Sequence, residues 1–94
     1  MNVLKSRLGR TATLTHVADN SSETITAIFN EYVGYVDNIQ RAIWTFDQDD
    51  VSTEVLRGDF FVLDGETAEW HVVDVRNDKA GGVEVRADSM LPRL

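Results

Sequence analysis

Short segments in which apolar and polar residues alternate recur along this chain, roughly ten residues apart. Ala12 and Leu14 alternate with threonines, and a similar segment follows at residues 25–29. A period of two residues is typical of a β-strand with one buried face. The polar residues 19–22 predict a turn between these two strands, which would then form a hairpin.

A third strand is predicted over residues 40–46, with Trp44 and Phe46 on one face. The acidic residues 47–50 end it. Before it, residues 33–38 predict a loop that has kept apolar side chains. After it, residues 51–56 fit either a strand or one helical turn, and the pattern does not decide between them.

The densest signal is a hairpin between residues 58 and 75. Asp64-Gly65 is a favoured two-residue turn, since both residue types tolerate positive φ. This turn predicts a register in which Leu63 pairs with Glu66 and Phe61 with Ala68. The residues that should line the core from this hairpin are Phe61, Leu63, Ala68, Trp70 and Val72.

The alternation breaks at Val75, which predicts a β-bulge near Val73 and Asp74. A turn over residues 77–82 leads to a last strand over residues 83–88, in which apolar and charged residues alternate. Six or seven short strands predict an all-β fold, a small antiparallel β-barrel or sandwich.

The sequence predicts an N-terminal arm over residues 1–10, a single β-barrel domain over residues 11–88 and a C-terminal tail over residues 89–94. Leu4 and Leu8 are four apart and Gly9 could stop a helix, so the arm is either a short docked helix or a flexible segment.

Composition excludes several classes of protein. None of the 94 residues is cysteine, which excludes disulfide scaffolds, thiolate zinc sites and cysteine nucleophiles. No apolar run approaches the roughly 20 residues of a membrane-spanning helix. The basic N-terminus lacks the apolar core of a signal peptide, so we expect a cytoplasmic protein without a membrane partner.

Charge is distributed unevenly along the chain. The first ten residues contain Lys5, Arg7 and Arg10 and no acid, whereas the other 84 residues carry six basic and sixteen acidic side chains. An acidic body repels phosphate, which argues against nucleic-acid binding. The basic arm suits an acidic protein surface, such as a neighbouring copy, although its charges could also merely solvate a chain end.

Candidate catalytic and metal-binding groups are few. His16 and His71 could accept a proton or bind a metal, but His71 alternates out of phase with the core and is expected at the surface. With Glu69 or Asp74, His71 is the one constellation that a small enzyme or ligand-binding barrel could use. Asp47, Asp49 and Asp50 cluster without the glycine and distant glutamate of an EF-hand, so we expect a solvated turn.

No phosphate-binding loop, zinc-protease helix or hydrolase nucleophile elbow occurs, and we expect no enzymatic activity, metal or cofactor. Arg57-Gly58-Asp59 matches a cell-adhesion tripeptide. Its place before a strand instead predicts a tight turn at Gly58 and an Asp59 side chain that binds local backbone N–H groups.

The stretch from Leu56 to Val75 resembles the closing hairpin of phage head–tail joining proteins, the FII type of lambda-like phages and related head-closure proteins. Its features are Leu-Arg-Gly-Asp, an apolar strand, Asp-Gly-Glu and Trp-x-Val-x-x-Val. The hairpin of residues 12–29 and Ala-Gly-Gly at 80–82 are similar too, so the resemblance covers roughly residues 11–88. The arm, the segment between residues 29 and 39 and the tail are shorter than in that family.

The resemblance implies a structural protein of the virion that is made in the host bacterial cytoplasm. It would join the DNA-filled head to the finished tail as a ring of six copies, between the portal or connector protein and the tail-end protein. Ordering of the arm and loops against neighbours costs entropy, so a monomer is expected in dilute solution. A tail-terminator or tail-completion protein is the alternative.

The segments expected to contact partners are the arm, the apolar residues of 33–38 and the connection of 47–55. Apolar side chains in loops are typical of partner contacts, although they could instead fold back as a lid over the barrel end. The predicted interface residues are Val3, Leu4, Arg7, Leu8, Val33, Tyr35, Val36, Asp49, Asp50 and Val51.

Overall fold

The fold is built from six antiparallel β-strands. The computed structural model describes residues 9–77 and 82–90. The strands are β1 (Gly9–His16), β2 (Ser21–Val36), β3 (Ile39–Asp47), β4 (Phe60–Leu63), β5 (Glu69–Asn77) and β6 (Gly82–Met90), and one 3₁₀ turn (Gln48–Asp50) follows β3. The predicted all-β fold is confirmed, and the described residues include no helix long and apolar enough to cross a membrane.

The strands close into a barrel in the order β1-β2-β3-β6-β5-β4. The closing contact is made by β1 and β4, which pair from Ala12 opposite Leu63 to Thr15 opposite Phe60. The predicted choice between a barrel and a sandwich is therefore decided by a pairing between residues about fifty positions apart.

The core consists of the inward-facing residues of all six strands. Trp44, Phe46, Phe61 and Trp70 are buried at its centre. Trp44 meets Phe61 and Trp70 edge to face, with ring centroids 5.5 and 5.3 Å apart. Such packing of aromatic pairs adds to the free energy of burying their surface. The prediction that both tryptophans belong to the core is confirmed.

The β4–β5 hairpin has a different register from the predicted one. Phe61 pairs with Trp70 and not with Ala68, so the connection is two residues longer than a tight turn. Of the two predicted turn residues, Gly65 adopts positive φ, at 84°, and Asp64 does not. The turn is closed by a hydrogen bond from the Glu66 N–H to the Leu63 carbonyl. Because side chains alternate with a period of two, four of the five predicted core residues still face inward and are buried. The fifth, Ala68, lies just before β5 and is only partly buried.

The second strand is much longer than predicted, and the predicted loop at residues 33–38 is wrong. β2 continues to Val36, which pairs with Ile39 across a turn at Asp37 and Asn38. The register with β3 shifts twice, between Phe29 and Glu31 and again between Tyr32 and Gly34. Each bulge interrupts the alternation, which is why the pattern indicated a loop.

Other predictions have mixed outcomes. The register of β5 and β6 shifts between Val72 and Asp74, so the predicted bulge is confirmed. Residues 51–56 form neither a strand nor a helical turn, and their irregular path buries Val55. β1 begins at Gly9 and β6 ends at Met90. The barrel strands therefore include the last two residues of the predicted arm and the first two residues of the predicted tail. The predicted turn at 77–82 and the segments 1–8 and 91–94 lie largely outside the described residues.

Candidate partner-binding surface

The two ends of the barrel have different chemistry. At one end, here called the arm end, β1, β3 and β5 begin and β2, β4 and β6 finish, and the chain enters the barrel at Gly9. At the other end, here called the clasp end, the connection from β3 to β4 crosses between strands.

Exposed apolar side chains concentrate at the arm end. Tyr32 is 52% exposed and Met90 68%, although both belong to strands. The five members of this set, here called the apolar rim, are Phe29, Tyr32, Val33, Ile39 and Met90. The other large exposed apolar residues in the described ranges, Val17 and Leu56, lie at the clasp end. Apolar surface gathered in one region is typical of a contact with a partner.

The rim lies where β2 extends beyond the described part of β1. Within the described residues, β1 pairs with β2 only as far as Gly9 opposite Ile28, whereas β2 and β3 remain paired to Val36. The centroid of the Phe29 ring lies 4.8 Å from that of Tyr32 and 5.3 Å from that of the buried Trp44. The rim is thus anchored to the core by a series of aromatic contacts.

A hollow of about 490 Å³ lies beside the rim on β3, β5 and β6. Its lining consists of Ile39, Thr67, Glu69, His71, Asp88, Ser89 and Met90. Ile39 and Met90 belong to both the rim and the hollow. The Ser89 hydroxyl is buried and has no hydrogen-bond partner among the described residues.

Ion pairs surround this hollow at the surface. Arg41 binds both carboxylate oxygens of Asp88, at 2.6 and 3.0 Å, and this raises the pKa of Arg41. His71 Nε2 lies 3.1 Å from Glu69 Oε1, with both side chains about half exposed. Exposed pairs of this kind contribute little stability.

At the clasp end, a buried histidine binds two carboxylates, in a group of three residues here called the clasp. His16 Nε2 lies 2.6 Å from Glu23 Oε2, and His16 Nδ1 lies 3.2 Å from Asp59 Oδ2. The Asp59 carboxylate also accepts hydrogen bonds from the N–H groups of Val17 and Leu56, and Glu23 accepts two from Ser52. The clasp therefore fastens the β3–β4 connection to β1 and β2.

The clasp shifts the pKa of two of its members. Burial would lower the pKa of His16, but the hydrogen bonds to Glu23 and Asp59 outweigh burial and raise it above 6.5. Burial would raise the pKa of Glu23, but the bonds from Ser52 and His16 outweigh it and lower that pKa. Both shifts favour the charged forms, as expected for an ion pair.

The clasp has the chemistry of a structural contact. The Ser52 hydroxyl binds Glu23 and not the histidine, so Ser52 is not placed for activation by His16. The two carboxylates bind opposite ring nitrogens and do not converge, and no group of three or more potential metal ligands occurs in residues 9–77 and 82–90. Burial of Asp59 to 2% exposure also means that Arg57-Gly58-Asp59 cannot present its carboxylate to an adhesion receptor.

The structure separates the predicted interface residues between the two ends. Val33 lies on the rim, and Tyr35 and Val36 are the last two residues of β2. At the clasp end, Asp49 is exposed, Asp50 accepts a hydrogen bond from the Thr26 N–H, and Val51 packs partly buried against the core. Val3, Leu4, Arg7 and Leu8 lie outside the described residues.

Sequence reasoning missed four of the five rim residues. Phe29, Ile39 and Met90 occur in or beside alternating segments, where apolar residues normally face the core. Nothing local indicates that these positions lie at the arm end of the barrel. Two other predictions are confirmed: His71 is exposed, and Asp59 binds the local Leu56 N–H after a turn in which Gly58 has a φ of 96°.

The proposed constellation around His71 is incomplete. Glu69 is its partner, but Asp74 accepts a hydrogen bond from the neighbouring Val75 N–H instead.

In comparisons with known proteins, no protein-family model matches the sequence and no curated protein matches it.

Proposed function

We propose that this protein is a structural adaptor of a phage virion, which joins the DNA-filled head to the completed tail as a ring of copies. The observation that carries the proposal is the apolar rim, a set of exposed apolar side chains gathered at one end of a closed barrel. A rigid barrel with one apolar end suits a protein that acts by fitting between other proteins.

Further support comes from the charge of the chain. The body beyond the basic arm is strongly acidic, which suits a ring through which DNA passes without being held. The hairpin pattern of residues 56–75 resembles that of head–tail joining proteins, and the barrel provides the fold which that resemblance implies.

The proposal includes the partners and the place of action. The ring, of six copies, contacts the portal or connector protein on one side and the tail-end protein on the other. The protein is made in the bacterial cytoplasm, is monomeric in dilute solution and ends in the virion. It acts without catalysis, cofactor or sequence-specific DNA contact.

The first test is deletion of the gene from the phage or prophage that encodes it, with negative-stain microscopy of the induced lysate. Full heads beside complete free tails are the expected result. Joined, infectious virions would refute the proposal. Full heads with tails of uncontrolled length would refute joining in favour of the tail-terminator alternative.

A second test links the activity to the rim. Purified wild-type protein should restore infectivity when it is added to the deletion lysate. The double variant Tyr32→Ser, Val33→Ser should restore it at least about tenfold less well, since both side chains are lost from the contact. Leu56→Ser is the matched control, since Leu56 is 48% exposed at the other end, and it should complement normally. Equal complementation by both variants would exclude the rim.

A further inference from the structure

The strand order places the hollow on the opposite side of the barrel from the point where the chain enters it. In the closed order β1-β2-β3-β6-β5-β4, β6 is three strands from β1 in either direction. The hollow is centred on β6 at the arm end, with one neighbour contributing Ile39 and the other Glu69 and His71. Residues 1–8 precede Gly9 in the sequence, and Gly9, the first residue of β1, lies at this same end.

The lining of the hollow complements the composition of residues 1–8. Ile39 and Met90, 40% and 68% exposed, supply apolar surface, and Glu69 supplies an exposed carboxylate. Residues 1–8 contain Val, two Leu, Lys5 and Arg7 and no acidic residue. An apolar segment with basic side chains would bury its aliphatic groups against Ile39 and Met90 and pair a cation with Glu69.

We propose that the hollow receives residues 1–8 of a neighbouring copy of this chain. The inference rests on the proposed ring and identifies the contact between its subunits. A donor segment and an acceptor hollow on opposite sides of one subunit give a head-to-tail contact, the kind that closes into a ring when the rotation allows. A self-complementary dimer would instead use the same surface patch on both copies.

The distances permit this contact. Eight extended residues span at most about 29 Å. The two shorter extents of the molecule are 31 and 25 Å, so residues 1–8 can lie along an adjoining subunit. The same reach would allow a copy to fill its own hollow, and the experiment must separate these two cases.

The test is zero-length carbodiimide cross-linking of the full chain at about 1 mM, a concentration comparable with that of tethered subunits. A mixture of ¹⁵N-labelled and unlabelled protein is used, and mass spectrometry identifies the joined peptides. The expected product is an amide between Lys5 and Glu69 that contains one heavy and one light peptide. Products within single chains only, or no Lys5–Glu69 product, would overturn the inference.

A matched pair of variants tests whether charge contributes to the contact. Arg7→Glu should lower the yield of mixed product about threefold or more, because it places an acid near Glu69. Arg57→Glu makes the same change at an exposed position of the clasp end and should leave the yield unchanged. Equal yields from both variants would overturn the assigned contact, provided that both unfold at the wild-type urea concentration.

The outcome is independent of the test of function. Loss of head–tail joining on gene deletion together with absence of the Lys5–Glu69 product would leave the adaptor role intact and remove this subunit contact. Joined virions in the deletion strain together with a mixed product would refute the adaptor role while retaining self-association.

Discussion

Truncation of Asp59 should destabilise the barrel strongly, because its buried carboxylate has several hydrogen-bond partners. Its side chain is 3% exposed and accepts hydrogen bonds from the Val17 N–H at 3.1 Å and the Leu56 N–H at 2.9 Å, while His16 Nδ1 lies 3.2 Å away. Asp59→Ala leaves these groups without their partner and leaves His16 with a single carboxylate. Breaking a buried ion pair costs about 3–5 kcal/mol.

That loss is a large part of the total stability. A domain of 94 residues is stabilised by about 5–14 kcal/mol, so Asp59→Ala should approach the limit of folding. Urea denaturation followed by tryptophan fluorescence would measure the free energy of unfolding, because Trp44 and Trp70 are buried. Asp64→Ala, at an exposed turn, is the control and should change it by no more than about 0.5 kcal/mol. A loss below about 1 kcal/mol for Asp59→Ala would refute the assignment of the clasp as a buried, mutually dependent contact.

Three further predictions concern stability. The folded pKa of His16 is raised, so its contribution to stability is complete below the ordinary value of 6.5 and is lost as pH rises through the folded pKa. Urea midpoints measured from pH 6 to 9 should therefore fall more steeply for the wild type than for His16→Gln. Equal slopes would contradict this. Ser89→Ala removes a buried hydroxyl without a partner among the described residues. It should leave the free energy of unfolding unchanged or raise it by up to about 1 kcal/mol. A clear decrease in the free energy of unfolding would contradict this and indicate that the hydroxyl makes a hydrogen bond. At both Gly58 and Gly34, an added Cβ meets no atom within 4 Å. Gly58→Ala should still cost about 1–2 kcal/mol because of its φ of 96°, whereas Gly34→Ala should cost nothing. Equal effects would show that the φ is not the cause.

Local pattern predicted the strands wherever alternation was uninterrupted. The last strand, with Val83 and Val85 inward, and the core positions of Trp44 and Trp70 follow directly from a period of two. The wrong register of the β4–β5 hairpin still gave the right buried face, because a shift of two residues preserves the direction of every side chain. Local turn chemistry likewise placed Gly58 and Asp59 correctly.

The candidate surface could be predicted only in part. Val33 was identified by its apolar character, but Tyr32 and Met90 gave no local signal, since their exposure depends on where other strands end. His16 was a possible ligand or base from sequence and proved to be a buried member of an ion pair. Its partner Asp59 lies 43 positions away, so the contact exists only after the β3–β4 connection has folded onto the barrel.

The sequence by itself determined the number of strands to within one, most of the residues that face inward and the uneven charge of arm and body, because each is a property of a residue and its near neighbours. Tertiary structure alone decided the closure by β1 and β4, the pairing of β2 with β3 as far as Val36, and the placement of the hollow opposite the chain entry. These features arise from pairing between distant strands, whose register depends on bulges and on barrel closure.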